Sequence, residues 1–134
     1  MNPVRDAIYD RLRAFGALTA LLSDPDEIHH QVGPPEAEPP FIVFDRVAER
    51  WRHQFKRGRV TRELWLVKAV DLNSSASDAE DIAKVIDDAL DGVTLSLSTG
   101  DKAYVRHETG VAYPETVGSD RWQHHGAIYR VVDP

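Results

Sequence analysis

Apolar residues in the first 22 positions recur at three- and four-residue steps: Val4, Ile8, Leu12, Phe15, Leu18 and Leu22. Arg5, Asp6, Asp10, Arg11 and Arg13 fall on the opposite side. That period predicts one amphipathic helix over 3–22. Asn2 is placed to cap it, and Pro3 occupies the first helical position, where a missing N–H costs nothing. Asp24-Pro25 ends the element. A short edge strand is expected over 28–32. The prolines at 34, 35, 39 and 40 then bar regular structure until Phe41.

From 41 to about 52 the β-branched and aromatic content predicts a strand, with 60–71 as its partner and Leu64-Trp65-Leu66-Val67 at that partner's centre. His53 to Gly58 joins them, giving a long antiparallel hairpin with a basic tip around 50–60. A second helix opens on Ser77-Asp78-Ala79-Glu80, a capping box, and buries Ile82, Val85, Ile86, Ala89 and Leu90. Gly92 is its stop. Three more β segments are expected around 93–97, 103–113 and 122–132. The order α-β-β-β-α-β-β-β predicts an α+β fold: a mostly antiparallel sheet of four to six strands with two α-helices packed on one face.

Length, 134 residues, fits a single domain over 1–134, and the 42% apolar and 28% charged fractions are those of an ordinary globular chain. With no cysteine, disulfides, thiolate metal sites and cysteine nucleophiles are excluded. No apolar run approaches the roughly 20 residues of a membrane span. Charges interrupt the first residues, so no signal peptide and no membrane partner are expected.

Charge changes the picture more than composition does. Between 46 and 62 lie seven cations and one acid, Glu49, so that segment carries +6 within a chain of net charge −6. Asp78, Glu80, Asp81, Asp87, Asp88 and Asp91 concentrate acid elsewhere. Two opposite patches on one chain can pair between copies of that chain. The basic tip interleaves Arg50, Trp51, Arg52, Phe55, Lys56, Arg57 and Arg59, as single-strand binders do. It equally fits a protein interface anchored by arginine and tryptophan, or a solvated loop that prevents edge-to-edge pairing. Asp78, Asp81, Asp87 and Asp88 are the candidate acidic partner surface.

Catalytic chemistry finds no purchase. His29-His30 and His124-His125 are adjacent pairs, and on a strand adjacent side chains point to opposite faces, so neither pair readily chelates one ion. There is no nucleophile elbow, and no glycine stands in a phosphate-cradling pattern. No catalytic, metal or cofactor-binding residue is expected, and no cofactor.

Ile8-Tyr9-x-x-Leu12 with Leu18-Thr19-Ala20-Leu21-Leu22 opens a wider pattern, followed by Pro39-Pro40-Phe41-Ile42-Val43-Phe44. Arg62-Glu63-Leu64-Trp65-Leu66-Val67-Lys68-Ala69-Val70-Asp71 then precedes the second helix, and Gly126-Ala127-Ile128-Tyr129-Arg130-Val131-Val132 closes the chain. This order resembles the tail terminator, or tail-completion, proteins of long-tailed bacteriophages and gene transfer particles. The resemblance implies a non-enzymatic virion protein at the head-proximal end of a tail, made in the host cytoplasm. It implies a homohexamer ring that caps the tail tube protein, meets the head-side connector or neck protein, and lets DNA pass without specific binding. Another neck or head-completion protein, or a small nucleic-acid-binding module using the basic hairpin, are the alternatives.

Overall fold

The computed structural model describes residues 2–31, 33, 36–54, 58–73 and 77–133, and the side chains of all of these except 50–54, 58–60 and 133. The first helix is α1 (Pro3–Ala14), followed by the one-turn α2 (Gly16–Thr19). Strands β1 (Ile28–His30), β2 (Phe41–Gln54) and β3 (Gly58–Leu72) come next, then α3 (Ser77–Leu90). The chain ends with β4 (Thr94–Ser96), β5 (Lys102–Val117) and β6 (Asp120–Asp133).

These strands make one six-stranded sheet in the order β1-β2-β3-β6-β5-β4. Among the described residues only β1 runs parallel to its neighbour; the other pairings are antiparallel. The fold is therefore the α+β arrangement that the hydrophobic pattern predicts. The helices cover one sheet face, where Ile42, Phe44, Trp65, Val67, Ala69, Val105, Ala127, Tyr129 and Val131 meet the apolar stripes of α1 and α3. Ile82, Ile86 and Leu90 of α3 are almost fully buried, each worth about 2–3 kcal/mol of apolar transfer.

The expected first helix is two. Asn2 caps α1 as predicted, its Oδ1 accepting from the backbone N–H of Val4 at 2.8 Å. The helix then stops at Phe15, whose backbone is extended (φ −85°, ψ 93°). Gly16 next to it favours the break, because glycine loses most entropy inside a helix. A straight 20-residue helix would run about 30 Å. The turn at Phe15 instead returns Leu18 and Leu22 to the core.

Strand β1 is shorter than expected, since Gln31 takes a positive φ of 71° and ends it; Val32 lies outside the described residues. The closing hairpin is longer than expected. Its strands continue to Val117 and restart at Asp120 across Gly118-Ser119, with Gly118 at φ 63°. Such two-residue loops with positive φ match the twist of paired strands.

Both flanks of the sheet are only partly covered. On one side β1 pairs with residues 42–44 of β2. On the other β4 pairs with residues 102–104 of β5. Each long strand carries a bulge just past its cover, between Arg46 and Ala48 in β2 and between His107 and Thr109 in β5.

Candidate functional site

Beyond Thr61, which pairs with Asp133, β3 has no β6 residue beside it. The β2–β3 hairpin therefore continues past the end of β6 as a two-stranded ribbon, with Arg52 opposite Val60 and His53 opposite Arg59. Arg52 and Arg59 stand on that ribbon, and Arg50 and Trp51 at its base, opposite Arg62 and Thr61. Phe55, Lys56 and Arg57 lie outside the described residues. At the ribbon's root, Arg46 Nη1 reaches Glu49 Oε2 at 2.6 Å and Glu63 Oε1 at 3.2 Å. Glu63, buried, also accepts from Asn2 Nδ2 at 3.2 Å, tying the hairpin to the start of α1.

Helix α3 lies over β3 and β6, and Arg11 of α1 fixes its far end by donating from Nε to the Ala89 carbonyl at 2.8 Å. Its acids divide into two groups. Asp81 and Asp88 are exposed, with no partner among the described residues, and Asp78 is exposed with only a long contact from Asn73 Nδ2 at 3.5 Å. Asp87 is committed internally. Its Oδ1 accepts from the Tyr129 hydroxyl at 3.0 Å and lies 2.7 Å from His107 Nδ1. Burial, then the hydrogen bond to Asp87, holds the Tyr129 phenol far above its usual range. Asp91 Oδ1 accepts from the His107 backbone N–H at 2.8 Å, so two acids hold β5 against α3.

An open groove of about 530 Å³ runs beside this cluster, lined by Ala83, Lys84, Asp87, Asp88 and Gly126 among others. Sequence reasoning missed the cluster. Its members are 20 and 42 positions apart, and no local spacing announces them.

The described residues show no ion pair between the acids of α3 and the 46–62 segment of the same chain.

The histidine pairs alternate across the sheet as their spacing requires. His30 packs against Phe44 and Trp65 on the helix-covered side, while His29 sits 2.8 Å from Glu27 Oε2. His124 is buried on the uncovered face, stacked on Tyr113 at 4.4 Å, with Glu115 Oε1 3.1 Å from its Nε2. Burial first, and the nearby Lys68 charge second, push its imidazole below the usual value. Lys68 Nζ donates to the Tyr113 hydroxyl at 2.6 Å. His125 faces the other way, beside Ala83 and Lys84. Among the described residues, no three histidines or acids gather as metal ligands would.

The architecture recurs in known proteins. A solved chain from the virion of native gene transfer agent (GTA) particle matches with a TM-score of 0.75 and 19% identity, covering 98% of this chain and 96% of that one. A second solved protein matches with a TM-score of 0.62 and 20% identity over 96% of this chain and 92% of its own. At those identities the likeness establishes the fold. No curated protein matches the sequence. The model of one family, tail completion protein gp17, matches residues 6–128, from within α1 into β6. That span covers the helices and nearly the whole sheet, and the chain belongs to the tail completion protein gp17 family.

Proposed function

We propose that this chain is a structural, non-enzymatic subunit that completes a phage-like tail by joining copies of itself into a six-membered ring. The ring caps the head-proximal end of the tail tube protein and presents its other surface to the head-side connector. DNA passes through without specific contacts, and the subunits gather in the host cytoplasm before they join the virion. The observation that carries this reading is the family match across almost the full chain. Charge supports it: the +6 segment and the free acids of α3 are separated within one subunit and complementary between two.

In this reading the basic segment of the sequence with Arg50, Trp51, Arg52, Phe55, Lys56, Arg57 and Arg59 meets the surface of Asp78, Asp81 and Asp88 on a neighbour. Asp87 contributes less there, because Tyr129 and His107 already engage it.

The test is reversal of charge at the tip. Arg57→Glu with Arg59→Glu weakens ring formation or docking on tubes, seen by electron microscopy and sedimentation, while the subunit still folds. Intact rings on tubes after that change count against the proposal. Tight single-stranded DNA binding by the unaltered chain, lost steeply as salt rises, favours a nucleic-acid module instead.

A further inference from the structure

Residues 45–54 of β2 and 108–117 of β5 form the two outer margins of the sheet, and among the described residues no strand pairs with either. Each margin is about ten residues long. A row of unpaired backbone donors and acceptors of that length is a template for another strand. Short cover, a bulge and then open edge occur on both flanks, which is how a sheet delimits where a new strand is allowed to start.

Direction narrows the occupant. Through β2, β3, β6 and β5 the chain alternates, so β2 and β5 run antiparallel to each other across the sheet. If a second copy is set beside the first in the same orientation, its β5 arrives antiparallel to the first copy's β2. Antiparallel strands make the stronger ladder.

Charge narrows it further. The margin 108–117 carries Glu108 and Glu115 with no cation, whereas the margin 45–54 carries Arg46, Arg50 and Arg52 against Asp45 and Glu49 and leads into the basic tip. Two β2 margins brought together would repel. Two β5 margins would oppose acid to acid around Pro114, which supplies no donor. Only the unlike pair is complementary in sign.

We infer that residues 48–54 of β2 in one copy pair antiparallel with residues 109–117 of β5 in the next, continuing the sheet from subunit to subunit. This rests on the ring proposed above and specifies its seam. The helices stay on one side of the joined sheet only if like faces meet. Ala48 pairs with Leu64, and Leu64 with Arg130, on the uncovered face. Val111, Tyr113 and Glu115 belong to that same face, and Ala112 to the helix-covered one through His125 and Ala69.

The two margins lie toward opposite ends of the subunit, since β2's is level with residues 58–66 of β3 and β5's with residues 120–128 of β6. Neighbours therefore step by about eight residues, on the order of 26 Å along the strands. Closure demands strands steeply inclined to the ring axis, as in barrels with large stagger. It also carries the end of β2 toward the neighbour's His107, Asp87 and Asp91, where α3 ends.

The chain has no cysteine, so paired cysteines report the seam directly. The full-length Ala48→Cys protein is mixed with Val111→Cys, Tyr113→Cys, Glu115→Cys or Ala112→Cys and mildly oxidised, with oligomer mass measured in parallel. Glu115→Cys cross-links on the order of tenfold faster than Val111→Cys or Ala112→Cys, because only opposed same-face Cβ atoms across a ladder lie within disulfide reach. Doubly substituted Ala48→Cys, Glu115→Cys protein gives a ladder of oligomers. Rings without any of these cross-links overturn the seam and leave the ring standing. Dimers from Tyr113→Cys alone show two β5 margins pairing and also overturn it. Monomers without cross-links at high protein concentration overturn seam and ring together.

Discussion

The two long hairpins of this molecule are built alike, but the first is basic overall while the second is net neutral with its acids on the open margin. In each, a three-residue strand covers one end of the outer margin, a bulge follows, and the rest of the margin is open. The β2–β3 hairpin is anchored at its root to α1 through Glu63 and Asn2, and runs past the sheet as a basic ribbon. The β5–β6 hairpin is anchored to α3 through Asp91 and the Asp87–His107–Tyr129 cluster, and its open margin is acidic. Matching geometry with unlike charge favours joining one kind of margin to the other. An interface of that kind is head-to-tail, and such interfaces close into rings when the rotation permits.

Both hairpins depend on one shared seam, where β3 meets β6. If that seam is the rigid part and the margins are the adaptable part, substitutions should divide accordingly. Trp65 is fully buried on β3 against Phe44 and His30, and Trp65→Ala costs about 4 kcal/mol in urea unfolding. Gly126 of β6 comes next. A Cβ there collides with the Val67 carbonyl and with Lys68, atoms of the neighbouring backbone that have no room to retreat. Gly126→Ala costs about 3 kcal/mol by the same measurement. A cost under half of either value would mean the seam yields more easily than its packing implies.

Smaller effects separate the anchors of the two hairpins. Tyr129→Phe removes the hydroxyl that donates to Asp87, costing about 1 kcal/mol and loosening β5 against α3. Amide exchange quickening around residues 105–107, with the β2–β3 hairpin unchanged, is the expected signature. Exchange that quickens equally in both hairpins would show that they are not independently anchored.

The smallest effect is a dependence on pH. His124 is held below the usual histidine value of 6.5 when folded, so between its folded value and 6.5 the unfolded chain binds a proton that the native one refuses. Stability therefore rises with pH through that window and falls as pH drops through it. His124→Gln flattens this slope in unfolding curves taken from pH 5 to 7. A slope unchanged by the substitution would place the titrating group elsewhere.

Much of this was legible in the residues. The apolar stripe Val4, Ile8, Leu12, Leu18, Leu22 and that of α3 were read correctly as core, since a 3.6-residue period has only one face to bury. The basic hairpin followed from two β-rich runs around a Gly-containing connection. The break at Phe15 was harder to read, because the apolar period continues across it and only packing rewards the turn. Gly118-Ser119 was the available signal for the full length of the closing hairpin.

Apart from the break at Phe15, sequence alone thus determined the element types, their order, the faces they bury and the separation of charge, because each is set by neighbours a few positions apart. Tertiary structure decided which strands lie side by side, that β6 enters between β3 and β5, and that two margins remain open at opposite corners. It also brought Asp87, His107 and Tyr129 together. Those outcomes depend on pairing between distant segments, where the sum over the whole sheet, rather than any local preference, selects the arrangement.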